Sequence, residues 1–565
     1  MKKKYVRWTL WTIASPFILF IILCILIYLP PIQNFLVDKA AVYASEATGM
    51  NISVGRISLS FPLNLVVTNV DAASPHNDTL LSVRRLQVNV QLLPLLKKQV
   101  EVDGISLQGA TVNSNDLIHG MKLNGTLGEL FISSHGVALD PETAIVNKVL
   151  LKDTDLSLCL NDTAAADTAA SDTTYWKIIL QDIDLQNVSF ALDMPLDSLS
   201  LAASLDNAIL RDGLIDLHKS AYSLQTFRIE NGRVRYDNGK PLAADSLSSG
   251  LDPSHIALTD IGVKLDSLYY GGRNMKAIIS QFVLKERSGV EIVSATGRMV
   301  SNDKVLRVPS LKLETRDSYL ELNAAMDWNA LDFKDEGLVS ARLMADIGKP
   351  DVVRFMGSMD EKFIRQYPSE PLRIRTGIDG DLNKLKLTTL TAELPGALGL
   401  FARGELTHLT DSLLRGGDIT LEAETKDLKF VSTLAEGIEI PYGTRLEGKF
   451  TMAGTKMGTD LLLMQPEAQA VVAADTIPIT VYNDSISVAD DFKMERAARL
   501  FAKYDLSRDR YEADLAVNHF DLHQFMPADS LYTLSTRLKV EGEGFDFFSP
   551  RTYFNAELSL IHISE

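Results

Sequence analysis

The stretch Leu86-Gln-Val-Asn-Val-Gln-Leu92 decides the fold class, because apolar and polar residues alternate along it without a break. Strict alternation is typical of a β-strand that buries one face and exposes the other to water. The same two-residue period recurs along the chain, at Val100–Val102, Leu311–Leu313, Leu372–Ile374, Leu385–Leu387 and Leu538–Val540. We therefore predict that the chain beyond residue 50 is all-β.

Clusters of Asn, Asp, Gly and Ser separate the predicted strands, as turns require. These clusters lie at residues 77–78, 237–239, 271–272, 301–303 and 379–381. Patterns with a helical period are short and few. We predict helices at Pro350–Arg365, Asp427–Gly437, Lys493–Lys503 and Asp521–Met526.

A second pattern spaces apolar residues along a strand by two, three and two positions. The three-residue step breaks the alternation, so a bulge or corner must re-phase the strand if both arms face one interior. Repeated in neighbouring strands, such corners would curve the sheet along a line into a trough or a flattened barrel. Closed sandwiches also need corners, so this alternative stays open. The pattern occurs at Ile52–Leu59, Ile105–Val112, Ile183–Phe190, Val263–Tyr270 and, more weakly, Phe227–Val234.

The first fifty residues predict a membrane anchor. Residues 1–7 form a basic tail, and residues 8–29 are an uncharged apolar run. At ~1.5 Å per residue this run spans a hydrocarbon core of ~30 Å as a transmembrane helix. A cleaved signal peptide is the alternative, although its apolar region is usually only ~7–15 residues long. The proposed anchor residues are Trp8, Trp11, Phe17, Phe20 and Tyr28.

The basic tail should stay in the cytoplasm, which sends the bulk of the chain across the membrane. Residues 32–48 then predict a short amphipathic helix, with Gly49 as its C-cap. Residues 50–160 and 175–340 are two β regions separated by the low-complexity loop 161–174. Residues 341–565 contain three similar strand–turn–helix units, Arg342–Phe355, Ile419–Phe430 and Tyr511–Phe525, which suggest an elongated repeat array. The last residues resemble the middle of a strand, and we expect the chain to be truncated there.

Net charge, cysteine count and the lack of known motifs exclude or disfavour several classes of function. The chain has 565 residues and a formal net charge of −17, which disfavours nucleic-acid binding through a basic surface. Its two cysteines, Cys24 and Cys159, exclude a disulfide framework. None of the common catalytic or phosphate-binding motifs occurs, so we predict no enzyme and no cofactor. His519 and His523 have a helical metal-ligand spacing, but we predict ordinary surface histidines.

The order of basic tail, single span, amphipathic helix and the strand Ile52-Ser-Val-Gly-Arg-Ile-Ser-Leu59 resembles the start of AsmA-like envelope proteins, most closely their TamB branch. The alternating stretch Leu81–Leu96 extends the resemblance, which is clear over residues 1–113 and general beyond them. The characteristic C-terminal domain of that branch is not recognisable in this sequence.

The resemblance implies a β-taco, which is a long U-shaped sheet enclosing a continuous apolar groove. It implies an inner-membrane protein, with its bulk in the periplasm of a two-membrane bacterium, that conducts phospholipids between the membranes and supports outer-membrane protein assembly or secretion. It also implies a TamA-type outer-membrane barrel as partner, reached through the missing C-terminal region. Two other classes are a scaffold that binds client strands at the sheet edge and a membrane-anchored enzyme.

The candidate lipid-groove residues are the apolar members of the strand patterns. They are Ile52, Val54, Ile57, Leu59, Leu86, Val88, Val90, Ile105, Leu107, Val112, Ile183, Leu185, Val188, Phe190, Val263 and Leu265.

Overall fold

The computed structural model of the protein describes most of the chain after residue 48. The described residues are 39, 41, 42, 45, 49–60, 64–74, 78–90, 102–114, 120–138, 142–161, 175–239, 250–333, 336–356, 360–434, 437–465, 496–527, 532–545 and 552–564. The predicted tail 1–7 and transmembrane helix 8–29, with all five anchor residues, lie outside them, as does the loop 162–174. Within the described residues, no helix has both the length and the apolar character needed to cross a bilayer.

The described residues form 26 strands and a few short helices, which confirms the all-β class. The strands fall into two compact units, with β1–β12 in unit 1 and β13–β26 in unit 2. Unit 1 contains β1 (Asn51–Ser60), β2 (Asn64–Ala73), β3 (Thr79–Val90), β4 (Val102–Asn113), β5 (Met121–Ala138), β6 (Thr143–Leu160), β7 (Lys177–Met194), β8 (Leu199–Asp216), β9 (Ala221–Leu224), β10 (Thr226–Asp237), β11 (His255–Gly271) and β12 (Asn274–Glu286).

Unit 1 is a ladder in which most strands pair with their sequence neighbours. The order is β1 to β8, then β10, β11 and β12, while the short β9 pairs with β8 and β11 beyond the end of β10. All the registered pairs are antiparallel except β6 and β7, which run parallel. The sequence did not predict this pair, because a low-complexity connection carries no signal for strand direction. A parallel pair requires a crossover connection rather than a tight turn.

Unit 2 is an antiparallel meander in which each strand pairs with the next along the chain. It contains β13 (Glu291–Ser301), β14 (Val305–Thr315), β15 (Tyr319–Asp327), β16 (Leu338–Ile347), β17 (Leu372–Asp381), β18 (Lys384–Leu394), β19 (Leu398–Thr407), β20 (Gly416–Thr425), β21 (Arg445–Ala453), β22 (Lys456–Met464), β23 (Ala497–Asp505), β24 (Arg510–Asp521), β25 (Thr533–Glu543) and β26 (Tyr553–Ser564). Because alternate strands of a meander run in the same direction, β16, β20 and β24 end at the same side of the sheet.

Short helices interrupt the meander. Three of the four helices predicted from the sequence occur at the predicted positions. The helix predicted at Pro350–Arg365 is two helices, α2 (Lys349–Phe355) and α3 (Glu361–Gln366), and α1 (Trp328–Leu331) precedes β16. The other two are single 3₁₀ turns, Val431–Thr433 after β20 and Leu522–Gln524 after β24. The three repeated units therefore share one design, in which a strand runs into a short helical insert at the same side of the sheet.

The helix predicted at Lys493–Lys503 is wrong, because Ala497–Asp505 is strand β23. The segment Ala-Ala-Arg-Leu-Phe-Ala-Lys is rich in good helix formers, which explains the prediction. However, every second residue of this segment faces the same side of the sheet. Ala498, Leu500 and Ala502 pair with Leu463, Leu461 and Thr459 of β22. Pairing on both sides overrides the local propensity.

The three-residue steps that the sequence predicts occur as bulges in unit 1, and the bulges of neighbouring strands are aligned. In each of the first eight strands, one residue is left out of the strand pairing, and these unpaired positions lie opposite one another across the sheet. The apolar residues before and after each such position therefore point to the same face. The skipped residues are Gly55, Asn69, Arg84, Gly109, Gly128, Asp153, Asn187 and Asp206. On β2, β4, β6 and β7 the skipped residue has a left-handed φ between 48° and 62°.

This bulge line predicts a residue-specific effect at Asn69, which is exposed and has φ 53°. Asn tolerates the left-handed region, whereas a β-branched side chain there costs about 1–2 kcal/mol. We therefore expect Asn69→Val to lower the free energy of unfolding by about that amount, and Asn69→Gly to change it by less than about 0.5 kcal/mol. Denaturant titration measures both. Equal losses for the two variants would contradict the assigned backbone conformation.

The predicted amphipathic helix is described at Lys39, Ala41, Val42 and Ser45, and all four residues are helical. Gly49 has φ 70° and donates its N–H to the Ser45 carbonyl at 2.9 Å, so the predicted C-cap is confirmed. The Ser45 hydroxyl also accepts the Ile52 N–H at 3.0 Å, which places the helix end beside the first strand.

Candidate functional site: the apolar face of the sheet

Two rows of apolar side chains cross eleven strands of unit 1 without a polar residue. Directly paired residues of neighbouring strands share a face, so each row lies on one side of the sheet. Row A is Ile57, Val67, Leu86, Leu107, Leu130, Leu151, Leu185, Ala208, Ile229, Val263 and Phe282. Row B is Leu59, Leu65, Val88, Ile105, Ile132, Val149, Ile183, Leu210, Phe227, Leu265 and Ile279.

The sequence-predicted groove residues all lie in unit 1, and the register places nearly all of them on this face. Ten of them belong to rows A and B. Ile52, Val112 and Phe190 share a third row, and Val54 and Val188 share a fourth, on the far side of the bulge line. Val90 pairs with Val102 at the end of β3, next to a register shift.

The apolar face of unit 1 is not covered by another layer of the described residues. In a sandwich, a second sheet packs ~10 Å away and buries the inner side chains of both sheets. Here only Ala208 of rows A and B is buried, and the other members remain partly exposed. Phe190 is 38% exposed although it points to the same side. The face is therefore open to a molecule that can replace water.

Unit 2 has an apolar face of the same kind. Row C is Leu311, Leu322, Leu343, Thr376, Leu390, Ala402, Leu421, Gly448, Leu461, Leu500, Leu515 and Leu538. Row D is Leu313, Leu320, Ala345, Ile374, Ala392, Leu400, Ala423, Leu446, Leu463, Ala498, Val517 and Thr536. Every Leu, Ile and Val of these rows is partly exposed, and only small Ala and Gly members are buried.

The sequence-predicted groove residues do not include the apolar face of unit 2. The stretches Leu311–Leu313, Leu385–Leu387 and Leu538–Val540 alternate in the sequence, but none of their residues is among the candidates. The alternation in these stretches could have identified the apolar face of unit 2, since the Leu residues of each short strand lie on one face. What the sequence did not supply is the register that aligns these faces from strand to strand.

The opposite face of unit 2 is charged. Each strand places a residue of this face between its members of rows C and D. The charged ones include Glu321, Arg375, Glu422, Glu447, Arg499 and Arg537. Arg499 and Asp460 form a bidentate pair across β22 and β23, with N–O distances of 2.7 and 2.6 Å. Arg537 pairs with Asp514 in the same way, and this hydrogen-bonded pair holds the pKa of the Asp514 carboxyl below its usual value. The two faces therefore differ sharply in chemistry.

One partly buried carboxylate on the charged face has an unfavourable electrostatic environment. Glu447 lies directly opposite Glu422 on the neighbouring strand, and burial followed by that like charge raises the pKa of the Glu447 carboxyl. A raised pKa in the folded state means that the ionised form destabilises the fold. This cost is absent below the unfolded-state pKa, grows as pH rises from there, and is fully present above the folded-state pKa.

We therefore expect Glu447→Gln to raise the free energy of unfolding at pH 7 by about 0.2–1 kcal/mol, with the gain vanishing near pH 4. Urea titrations of both proteins at the two pH values measure the difference. Glu424→Gln is the control, because Glu424 lies directly opposite Arg445 and pairs with it at 3.7 Å, so it should gain nothing. A gain from Glu447→Gln that persists unchanged at pH 4 would contradict the electrostatic cause.

Fully packed cores in unit 2 lie at the ends of the strands rather than along the apolar face. The first, which we call the helix cap, consists of Phe363, Tyr367, Leu394, Ala397, Leu428 and Phe430. The second, which we call the turn cap, consists of Ala330, Val339 and Leu382. Aromatic rings of the helix cap meet edge to face, with the Phe363 and Phe430 centroids 5.7 Å apart. Burial raises the pKa of Tyr367 in this cluster.

His519 and His523, which have the spacing of helical metal ligands in the sequence, make separate contacts in the structure. His519 has φ 44° on β24 and bonds Asn518 through Nδ1 at 2.8 Å, while the His523 ring stacks on Tyr532. Cys159 lies on β6 as a free thiol. In the described part of the chain, no three His, Cys, Asp or Glu side chains are grouped so as to hold a metal ion.

Comparison with known proteins found no match, either among protein-family models or among curated proteins.

Proposed function

We propose that this protein is an inner-membrane-anchored periplasmic groove protein that conducts phospholipids between the inner and outer membranes and supports outer-membrane protein assembly or secretion. The observation that carries the proposal is the uncovered apolar face, which crosses the strands of each unit without a charged side chain in rows A to D. The resemblance to the TamB branch of AsmA-like proteins supports the same function.

The chemistry of the face suits acyl chains. Apolar burial is non-directional and is worth about 25 cal/mol for each Å² removed from water, so a chain gains similar free energy on every row. Such a surface can hold a lipid anywhere along it, which passage requires. Movement then follows a gradient of lipid, and no catalytic group is needed.

We propose further that the bulge line bends unit 1 into one arm of a U-shaped groove, with the apolar face inside. Bulges increase local twist and bend a strand, and here one occurs at the same level in each of eight strands. Left-handed Asn, Asp and Gly residues on β2, β4, β6 and β7 allow that bend. In unit 2, the charged side chains of the opposite face keep that face in water.

The remaining parts of the proposal concern segments outside the described residues. Residues 8–29 would anchor the chain in the inner membrane with its N-terminus in the cytoplasm. A TamA-type barrel of the outer membrane would be the partner. The acidic net charge of −17 argues against nucleic acid as a ligand.

Site-specific photocrosslinking in cells tests the proposal. Crosslinkers at Val88 and Val188 point to the apolar face, while Gln87 lies on the opposite face of β3 and Asn187 is an exposed residue of the bulge line. We expect phospholipid adducts at Val88 and Val188 and none at Gln87 and Asn187. Peptide adducts at the sheet edge without lipid on the apolar face would instead favour a scaffold that binds client strands.

A further inference from the structure

Several strand ends of unit 1 meet at one edge of its sheet and carry an exposed aromatic and basic surface. Strands β7 and β12 begin at this edge, β8 and β11 end there, and the short β9 lies between β8 and β11. The Leu217 N–H donates to the Trp176 carbonyl at 3.1 Å, which joins the turn after β8 to the start of β7. We call this surface the tyrosine rim, and it consists of Tyr175–Lys177, Leu217–Tyr222 and Tyr269–Lys276.

Tyrosine rings project from both faces of the sheet at this rim. Tyr175, Tyr222, Tyr269 and Tyr270 are between 40% and 53% exposed. The Tyr222 and Tyr270 rings stack with their centroids 6.2 Å apart. Because consecutive residues of a strand point to opposite faces, Tyr269 and Tyr270 place one ring on each face. The rim is therefore an aromatic border of the sheet, on its outer side as well as its inner side.

The lysines and arginines of the rim make it a basic surface on an acidic protein. The whole chain has 73 Asp and Glu against 56 Lys and Arg, yet the three segments of the rim contain no acidic residue. Of the neighbouring carboxylates, Glu142 accepts the Tyr175 N–H at 2.9 Å, and the buried Asp216 accepts the Lys219 N–H at 3.0 Å. The exposed cations of the rim are Lys177, Lys219, Arg273 and Lys276.

We propose that the tyrosine rim docks on the headgroup layer of an anionic lipid bilayer. Tyr and Trp side chains favour this layer, because the apolar part of the ring enters it while the hydroxyl or indole N–H keeps a hydrogen-bond partner. The negative potential of an anionic surface attracts Lys and Arg to the same depth. This contact does not require lipid to move along the apolar face, so the inference goes beyond the proposed function.

The arrangement of the rim favours a bilayer over a protein partner. A standard protein interface covers roughly 800 Å² of each partner around an apolar core. The rim instead places single rings and cations on both faces of a sheet edge, with Tyr269 paired to Lys276 on one face and Tyr222 paired to Tyr270 on the other. Headgroups can surround such an edge on both faces, whereas one protein surface contacts a single face.

An environment-sensitive fluorophore at Leu217 tests the docking. Leu217 lies in the rim and is 37% exposed. The labelled full chain, held in phosphatidylcholine nanodiscs, is mixed with vesicles of phosphatidylglycerol or of phosphatidylcholine. We expect a blue shift with phosphatidylglycerol only, which disappears in ~1 M salt, where the Debye length is about 3 Å. The same fluorophore at Leu196, an exposed residue at the opposite edge of unit 1, is the position control and should not respond.

The charge of the rim is tested by the double variant Lys219→Gln, Arg273→Gln. Each cation near an anionic surface contributes about fivefold in affinity, so we expect the vesicle concentration at half-maximal shift to rise roughly 30-fold. The matched control is Lys122→Gln with Arg235→Gln, which removes two exposed cations at the opposite edge and leaves the same net charge. This control should respond like the unsubstituted protein.

The proposal is overturned by the absence of a shift with phosphatidylglycerol, by an equal shift with phosphatidylcholine, or by an equal response of the two double variants. Sedimentation identifies the other occupant: a change of oligomeric state in Lys219→Gln, Arg273→Gln with an unchanged vesicle response would make the rim a contact between copies of this chain. Lipid passage is read separately from adducts at Val88, so a failure of docking is distinguishable from a failure of the proposed function.

Discussion

Leu185→Asp is expected to abolish lipid passage across β7 in the proposed groove. Leu185 lies in the middle of that row, between Leu151 and Ala208. An aspartate at the centre of a hydrocarbon layer costs about 2.5–3.5 kcal/mol, which corresponds to roughly a 100-fold loss in occupancy. Since each lipid must cross every strand, one such position is enough to stop transport.

The matched control for this variant is Gln186→Asp, which places the same charge on the opposite face of the same strand. We expect lipid transfer by the control to match that of the unsubstituted protein, and thermal unfolding should show that both variants remain folded. Lipid adducts that persist on the strands beyond β7 in Leu185→Asp would show that chains do not travel on this face.

Asp351→Ala is expected to give the largest stability loss among the substitutions considered. The Asp351 side chain is fully buried in α2. It accepts hydrogen bonds from the hydroxyls of Thr315 and Ser318, the latter at 2.6 Å, and pairs with Arg354 at 3.0 Å. Removing one partner of a buried charge pair costs about 3–5 kcal/mol. The loss should concentrate in the insert that carries α2 and α3.

Hydrogen exchange and urea unfolding check this expectation. Because α3 supplies Phe363 to the helix cap, we expect faster exchange at α2, α3 and the start of β17 in Asp351→Ala. Glu361→Ala is the control, since its exposed pair with Arg365 at 3.8 Å should contribute less than about 0.5 kcal/mol. Equal effects of the two substitutions would mean that the buried carboxylate does not hold the insert.

The part of the fold that could be predicted from the sequence is local. Alternation at Leu86–Leu92 is a property of one strand, and it survives in β3. The steps at Ile183–Phe190 are also local, because a strand that keeps one face inward must bulge where the apolar residues are three apart. The bulge at Asn187 follows from this requirement.

The parts that could not be predicted depend on partners distant in the sequence. The parallel pairing of β6 with β7 is set by strand direction across a segment of low complexity. The two caps bring together residues such as Phe363 and Leu428, which no short pattern connects. Helix propensity at 493–503 was outweighed by pairing with β22 and β24.

The most direct test of the open apolar face is a photocrosslinker scan along β7 from Ile183 to Leu192. The register predicts phospholipid adducts at Ile183, Leu185, Val188, Phe190 and Leu192, with a three-residue interval across the bulge at Asn187. It predicts none at Asp184, Gln186, Ser189 and Ala191. Adducts spread evenly over both sets, or adducts to protein alone, would contradict the account.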